Sequence, residues 1–581
     1  MNTSIPTRSE VPETLTWDLT SIYPSEDAWE DVFRTVSERL PAFGQVQGSL
    51  GQSARQLYDG LVLRDQLGAA IDRLMEYAGR RHYADMTNGS YAALLGRAWT
   101  LTASYQEATA FYGSEILGIA PEQLGRFLFE EPALSPYRHH LDVITRLRPH
   151  VRSAEIERLL AGFADLSRGP GRIFDALYNV DVAQRLPTMI AANGEPVQLT
   201  DSSYFAALRS EDRRERRDAF EGMLGSFRQE GHTLAANLML QVQSNVFVAH
   251  ARGYESAMEA ALNQAHIPKE VYTTLVQRVG AHLPSFRRYL ALRDKALALG
   301  DQQHIYDLQA PLIVASDNEV PYDAACAILL DALAPLGSEY TAALEEGFRV
   351  RWIDVVESRG KLSGAYCAGA YGTFPFISLN YGSRREDLFT LAHETGHAMH
   401  SYFSWCTQPY IYAYAADFIC EIAAKVHEEL LRAHLLQQAT DKADRVAGLG
   451  QYLEHFRFSM IRQTLFADFE LRIHQRVEAG ESLTADALCG IYRELNERYY
   501  GDGGVVVDDL ISWEWSIVPG FYMSFYVYTY ATATAAATAI ARRILDEGQS
   551  AADRYVRLLR AGSSGYPIDL LKEAGVDMRD V

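Results

Sequence analysis

Two histidines four positions apart, His393 and His397, enclose a glutamate in the run His393-Glu394-Thr395-Gly396-His397. That spacing constrains the chain more than any other feature. On an α-helix positions i and i+4 share a face one turn apart, so both imidazoles reach one metal ion if this segment is helical. Glu394 then stands beside the metal, where it can take a proton from a bound water. The motif reads as a zinc-dependent hydrolase of peptide bonds. Its flanks predict the helix. Ser383-Arg384-Arg385-Glu386 has the S-x-x-E spacing of a capping box. Leu388, Leu391, Ala392, Ala398 and Met399 supply an apolar side to bury while the histidines face a cleft.

A catalytic zinc takes three protein ligands and keeps a fourth position for water. A metzincin arrangement needs a histidine ten residues after His393 and a glycine at position 400, but the chain has Phe403 and His400 there. His400 lies too close along the same helix to close on the same ion and reads as a supporting or packing histidine. The gluzincin arrangement needs a glutamate from a second helix. The segment from Asp417 to Leu431 reads as that helix, with Asp417 as its N-cap. Glu421 lies among Ile419, Cys420, Ile422, Ala423 and Ala424. A carboxylate in apolar company must be paired or ligated, because an isolated buried charge is costly. Glu421 is therefore the third ligand by this reading, and Glu429 the exposed glutamate. Glu428, on the same face as Glu421, is placed to orient a ligand histidine.

These residues, taken together, resemble the thimet oligopeptidase family, in its oligoendopeptidase F branch. The matching blocks are Gly364-Ala365-Tyr366-Cys367, Pro375-Phe376-Ile377-Ser378-Leu379-Asn380-Tyr381 and the stretch from His393 to Ser401. Gln408-Pro409-Tyr410, Glu421-Ile422-Ala423 and Phe525 to Thr532 follow in order, and Trp17-Asp18-Leu19 with Ile22-Tyr23 and Trp29 is similar to the family's opening. The resemblance implies a mainly α, two-lobed, zincin-like metallopeptidase with a small β-sheet beside the metal helix and a deep central channel. It implies one zinc ion held by His393, His397 and Glu421, with Glu394 as general base, and endopeptidase action on oligopeptides. Independently, the aromatic, Gly- and Pro-punctuated stretch from Gly364 to Tyr381 predicts strands whose edge can pair with an extended peptide.

One departure bears on activity. The family carries a histidine just before its Phe-Tyr block, whereas this chain reads Ile517-Val518-Pro519-Gly520-Phe521-Tyr522. The histidine and neighbouring tyrosines are implied to stabilise the oxyanion, and losing one such donor costs about a hundredfold or more in rate. Tyr528 and Tyr522 are the candidate donors that remain. Phe521, Phe525 and Tyr528 are spaced to share one helical face, on which only Tyr528 offers a hydroxyl.

A formal net charge of −21 argues against nucleic acid and anionic membrane surfaces as partners. Five cysteines, Cys326, Cys367, Cys406, Cys420 and Cys489, are odd in number and without a C-x-x-C pair. They read as buried free thiols in a reducing compartment. Met1 to Glu10 has no apolar run of the secretory kind. Trp515 to Ala541 carries no charge, but Pro519-Gly520 interrupts it and alanine, threonine and tyrosine dominate. It reads as a buried channel-lining helix, and the chain as cytoplasmic.

Two regions are expected: a helical N-terminal part over 1–185 and a catalytic part over 186–581. Arg168-Gly169-Pro170-Gly171 is a breaker, and Leu186 to Thr200 predicts a hairpin about Asn193-Gly194. Asp212 to Asp218 mixes charges and reads as a solvated helix face. Ile305 to Val320 reads as irregular, and Tyr500 to Gly504 as a glycine-rich loop without the phosphate-binding spacing. Two other functions compete with the endopeptidase. A gluzincin exopeptidase needs a group to capture a chain end, and the G-A-M-E-N-type segment is absent. A catalytically impaired, zinc-dependent peptide-binding protein is the reading that Gly520 supports. Sequence leaves the oligomeric state open.

Overall fold

The computed structural model describes residues 5–312 and 319–579; the expectations for the first four residues and for 313–318 lie outside it. The chain is mainly α-helical, with five short strands among the described residues. It divides into two compact units, each assembled from separated stretches of sequence. One comprises Met1–Pro149, Asp317–Leu435 and Ala536–Val576; the other His150–Ser316, Leu436–Ala535 and Asp577–Val581.

In the first unit a long helix, Ala54–Ala84, anchors the N-terminal core. Ser53 caps its start by accepting from Gln56 N. Leu57, Leu61, Ile71, Leu74 and Ala78 recur at helical spacing and are almost fully buried, packed with Trp29, Phe43 and Ile116. The Trp29 indole nitrogen donates to Leu74 O at 3.0 Å, so this fully buried ring leaves no polar atom unpaired.

The five strands are β1 Thr188–Ile190, β2 Pro196–Gln198, β3 Ile353–Asp354, β4 Tyr366–Ala368 and β5 Phe376–Ser378. The first unit holds a three-stranded sheet in the order β3-β5-β4, with β3 parallel and β4 antiparallel to β5. Central β5 is wholly buried, as its run Phe376-Ile377-Ser378 requires. The N-terminal segment covers the β3 side: Val355 N donates to Leu15 O and Asp18 N to Arg351 O. Buried Asp354 is neutralised by Lys361, at 2.7 Å, and by Arg8. Among the described residues β4 pairs with β5 alone and is the sheet's other edge.

In the second unit β1 and β2 form the predicted antiparallel hairpin, with Gly194 at φ +85° in its loop. The mixed-charge run is not a solvated face. It opens the helix Arg213–Gln229, and Arg216 is 1% exposed. Arg213 and Arg216 both bind the carboxylate of Asp307, which is fully buried. Two guanidiniums on one carboxylate satisfy charges that local composition alone assigns to water. The breaker at Arg168 to Gly171 is real: a helix ends at Leu166 and another begins at Gly169, with Pro170 in its first turn. Ile305–Asp307 is a single 3₁₀ turn within the irregular stretch. Gly501–Gly503 forms another, tied by Arg287 to Arg498 O and Asp502, each at 2.7 Å.

The uncharged stretch after Trp515 is not one helix. It runs through 3₁₀ segments at Asp509–Ile517 and Pro519–Tyr522, and an α-helix starts only at Tyr528 and extends to Glu547. Phe525 has φ +54°, so Phe521, Phe525 and Tyr528 do not share a helical face. A Cβ at Gly520 would sit 2.5 Å from Val527 Cγ1, so this turn closes around a glycine. Among the described residues no helix is long and apolar enough to cross a membrane. All five cysteines are free thiols, but only partly as expected: Cys406 is exposed and the other four are half-buried.

Candidate metal centre and active site

The motif lies on the helix Arg385–Thr407, hereafter the His393 helix. Its start differs in detail from the predicted capping box. Ser383 has φ +63° and stands outside the helix; the Asp387 carboxylate accepts from Gly382 N and Arg384 N, both at 2.9 Å. The cap therefore uses the acid three residues inside the helix that Arg384 opens. Leu388, Leu391, Ala392, Ala398 and Met399 are buried to 1% or less. Burial of that side leaves His393, Glu394 and His397 toward a cleft.

The second helix, Asp417–Gln438, hereafter the Glu421 helix, begins with Asp417 as its first residue, with the preceding Ala416 O accepting from Ile419 N and Cys420 N. It packs against the first at backbone distance. A Cβ at Gly396 would lie 2.5 Å from Ala424 Cα and 2.7 Å from Ala423 O, so only glycine permits this approach.

His393, His397 and Glu421 each offer one ligand atom, and the three atoms lie within 4.8 Å of one another. His393 Nε2 is 3.2 Å from His397 Nε2 and 3.8 Å from Glu421 Oε2. Tetrahedral ligands about 2.0–2.1 Å from one ion stand roughly 3.3 Å apart, so this donor set fits a zinc-sized cation. His393 Nδ1 donates to Glu428 Oε1 at 2.7 Å, which turns the Nε2 lone pair toward the triad. Glu428 thus stands where an orienting carboxylate belongs. The exposures of two glutamates invert the sequence reading: the Glu421 side chain is 32% exposed and that of Glu429 12%. Glu421 faces the cleft, not the apolar neighbours it has in sequence.

Electrostatics separate the roles further. Burial raises the Glu394 carboxyl to about 7, with His393 opposing and the Glu421 charge adding to the rise. Burial pulls the other way on His393, yet its bond to Glu428 and the charges of Glu428, Glu394 and Glu421 raise it overall. Burial, then neighbouring His393, lowers His397 to about 4. His400 is 3% exposed, and its Nε2 has no hydrogen-bond partner among the described residues.

The cleft over these groups measures about 570 Å³, within the size range of small-molecule and peptide sites. Tyr366 and Cys367 of edge strand β4 border it, with Tyr414, Cys420 and His400. The edge predicted to meet an extended chain thus adjoins the triad. Burial raises the Cys367 and Cys420 thiols, so both are protonated packing groups.

Tyr522 and Tyr528 belong to the second unit. The Tyr522 hydroxyl accepts from Asn237 Nδ2 at 3.2 Å and its ring stacks on Phe174. Tyr528 is 3% exposed, its ring 5.0 Å from that of Tyr272.

Three features of the site escape sequence reading. Asp72 accepts from the hydroxyls of Tyr410 and Tyr414, each at 2.9 Å, which ties the loop after the His393 helix to the long N-terminal helix. Gly396 marks the helix contact. His427, fully buried, joins the His393 and Glu421 helices. His427 lies among Lys425, Glu428 and Glu429, so nothing in the sequence marks it as buried, and the tyrosine–aspartate link has no sequence signal either.

Comparison with known proteins decides the family. The pattern described as Peptidase family M3 covers residues 206–581, and that described as Oligopeptidase F covers 115–183. The chain belongs to peptidase family M3, in its oligoendopeptidase F branch. Oligopeptidase PepF of Bacillus subtilis is 42% identical over 99% of this chain and 85% of its own length. The crystal structure of oligoendopeptidase-F from Enterococcus faecium superposes with a TM-score of 0.72 at 34% identity, covering 96% of this chain and 95% of that one. A structure from Chlamydophila abortus reaches 0.93 at 30% identity, over 100% of this chain and 96% of that one. This M3 member is accordingly a peptidase, and its His393-to-His397 motif falls inside the matched region.

Proposed function

We propose that the chain is a zinc metalloendopeptidase cutting internal bonds of short oligopeptides. The observation that carries this reading is the convergence of two imidazole nitrogens and one carboxylate, with Glu394 beside them, in a cleft bordered by a free strand edge. His393, His397 and Glu421 hold one zinc ion, and Glu428 orients His393. When bound, zinc polarises the scissile carbonyl and acidifies water. Glu394, buried and poised near neutrality, takes the proton of the attacking water and delivers it to the leaving amine. Edge strand β4 pairs with the substrate main chain, which selects extended peptides with little regard to side chains. Tyr528 and Tyr522 are assigned to the oxyanion on the family resemblance. Residues 186–581 form the catalytic part, a division supported by the M3 pattern.

The test is cleavage of an internally quenched, end-blocked peptide of about ten residues, with metal content measured alongside. Chelator-sensitive internal cleavage is expected. Glu394→Gln should keep its zinc and lose about 10²–10⁴ in kcat, whereas Glu421→Ala should lose the metal. An end-blocked peptide that resists while a free one is trimmed would replace this reading with the exopeptidase. Full zinc without turnover of either peptide would replace it with the binding protein.

A further inference from the structure

We propose that His427 is a positioning residue: it sets the register between the two helices that carry the metal triad, by binding the main chain one residue before His393. The inference rests on the triad reading above.

His427 is fully buried on the Glu421 helix. Its Nδ1 lies 3.1 Å from Ala392 O and 3.2 Å from Thr395 Oγ1, and its Nε2 lies 2.6 Å from the Tyr340 hydroxyl. A carbonyl oxygen only accepts, so Nδ1 carries the proton and Nε2 accepts from Tyr340. Thr395 Oγ1 donates to the same Ala392 O at 2.9 Å. Every polar atom of the ring is thereby used, and the tautomer is fixed from both sides.

The placement of these bonds matters more than their number. Ala392 immediately precedes His393, and His427 immediately precedes Glu428, which holds His393 at 2.7 Å. Two successive residues of one helix therefore grip two successive residues of the other, one by its carbonyl and one by its side chain. Gly396 supplies the close approach against Ala424. Apolar contact at a glycine permits sliding, whereas a hydrogen bond from a rigid ring to a main-chain carbonyl does not. A slip of one residue, about 1.5 Å along the axis, is enough to take Glu421 out of the ligand geometry.

Amide isosteres separate this role from core packing. The side-chain amide nitrogen of asparagine falls near the place of Nδ1, and that of glutamine near the place of Nε2. His427→Asn therefore keeps the bond to Ala392 O, while His427→Gln and His427→Leu give it up. The experiment is zinc affinity by chelator competition on the full chain, with the melting temperature of each variant recorded. Asparagine is expected to bind zinc nearly as wild type does, and glutamine and leucine about tenfold or more weaker, the range of outer-shell substitutions, whatever the order of their melting temperatures. Equal affinity in all three, or affinity that follows melting temperature instead of the Nδ1-like donor, overturns the proposal. If leucine prevents folding, the asparagine–glutamine pair decides alone. A wild-type chain that binds no zinc would instead refute the triad reading.

Discussion

Glu470 shows how one residue can tie the protein's stability to pH. Its carboxyl is fully buried in the second unit; Oε1 accepts from Phe525 N at 2.6 Å and Oε2 has no partner. Burial raises its pKa to about 8, against the lowering effect of the Phe525 amide. In the unfolded chain the group titrates near 4.3. The folded state thus binds the proton more tightly, so the stability it contributes is complete below the unfolded pKa and is lost as pH rises toward and through about 8. Glu470→Gln keeps an acceptor for Phe525 N and removes the titration. Melting temperatures of the two proteins between about pH 5 and pH 9 should converge or cross in favour of glutamine as pH rises; a gap independent of pH would show that Glu470 does not titrate in this window. Its neighbours Phe469 and Leu471 are apolar, but neighbours along a helix do not tell which face the carboxyl takes. Glu421 and Glu429 teach the same limit. Neighbours in sequence report the composition of a helix, not which of its faces meets a cleft.

At the scale of elements, what periodicity and turn chemistry encode was legible: the His393 helix, the Glu421 helix, the hairpin and the strands beside the site. Contacts that depend on a distant partner were not. The charges of Arg213 and Arg216 read as solvated until Asp307, some ninety residues on, takes them up. The segment from Phe521 to Tyr528 read as helical because its apolar spacing fits a helix, but a left-handed Phe525, held by Glu470, breaks it. Gly396 is the element-scale feature most open to test. Alanine there is a good helix former on propensity alone. Its Cβ would nevertheless meet backbone atoms of Ala423 and Ala424 at 2.5–2.8 Å, and backbone cannot rotate away. Gly396→Ala is therefore expected to destabilise by about 1–3 kcal/mol, the range of overpacked cores, and to weaken zinc binding by parting the two helices. Denaturant unfolding and chelator competition check both, and an unchanged midpoint would mean that the helices separate at no cost.

At the scale of the whole molecule, the charge and the way the chain is threaded act together. Each unit gathers separated stretches of sequence, an arrangement that periodicity does not encode, and the metal helices are reached only after more than three hundred residues. The formal charge, by contrast, is plain in the sequence: 54 Lys and Arg against 75 Asp and Glu leave −21. A field of that sign attracts cationic peptides before any contact is made, and the gain lies in the encounter, not in the chemistry. A substrate flanked by lysines should therefore have a higher kcat/KM than one flanked by glutamates, with kcat similar for both. The advantage should shrink as salt rises, since the screening length falls from about 30 Å at 0.01 M to about 3 Å at 1 M. Measuring both peptides across that range separates long-range attraction from pocket contacts. A preference that survives high salt would assign selection to short-range contacts made within the cleft and not to the long-range field. No preference at low salt would mean that the acidic groups lie too far from the path of the substrate to steer it.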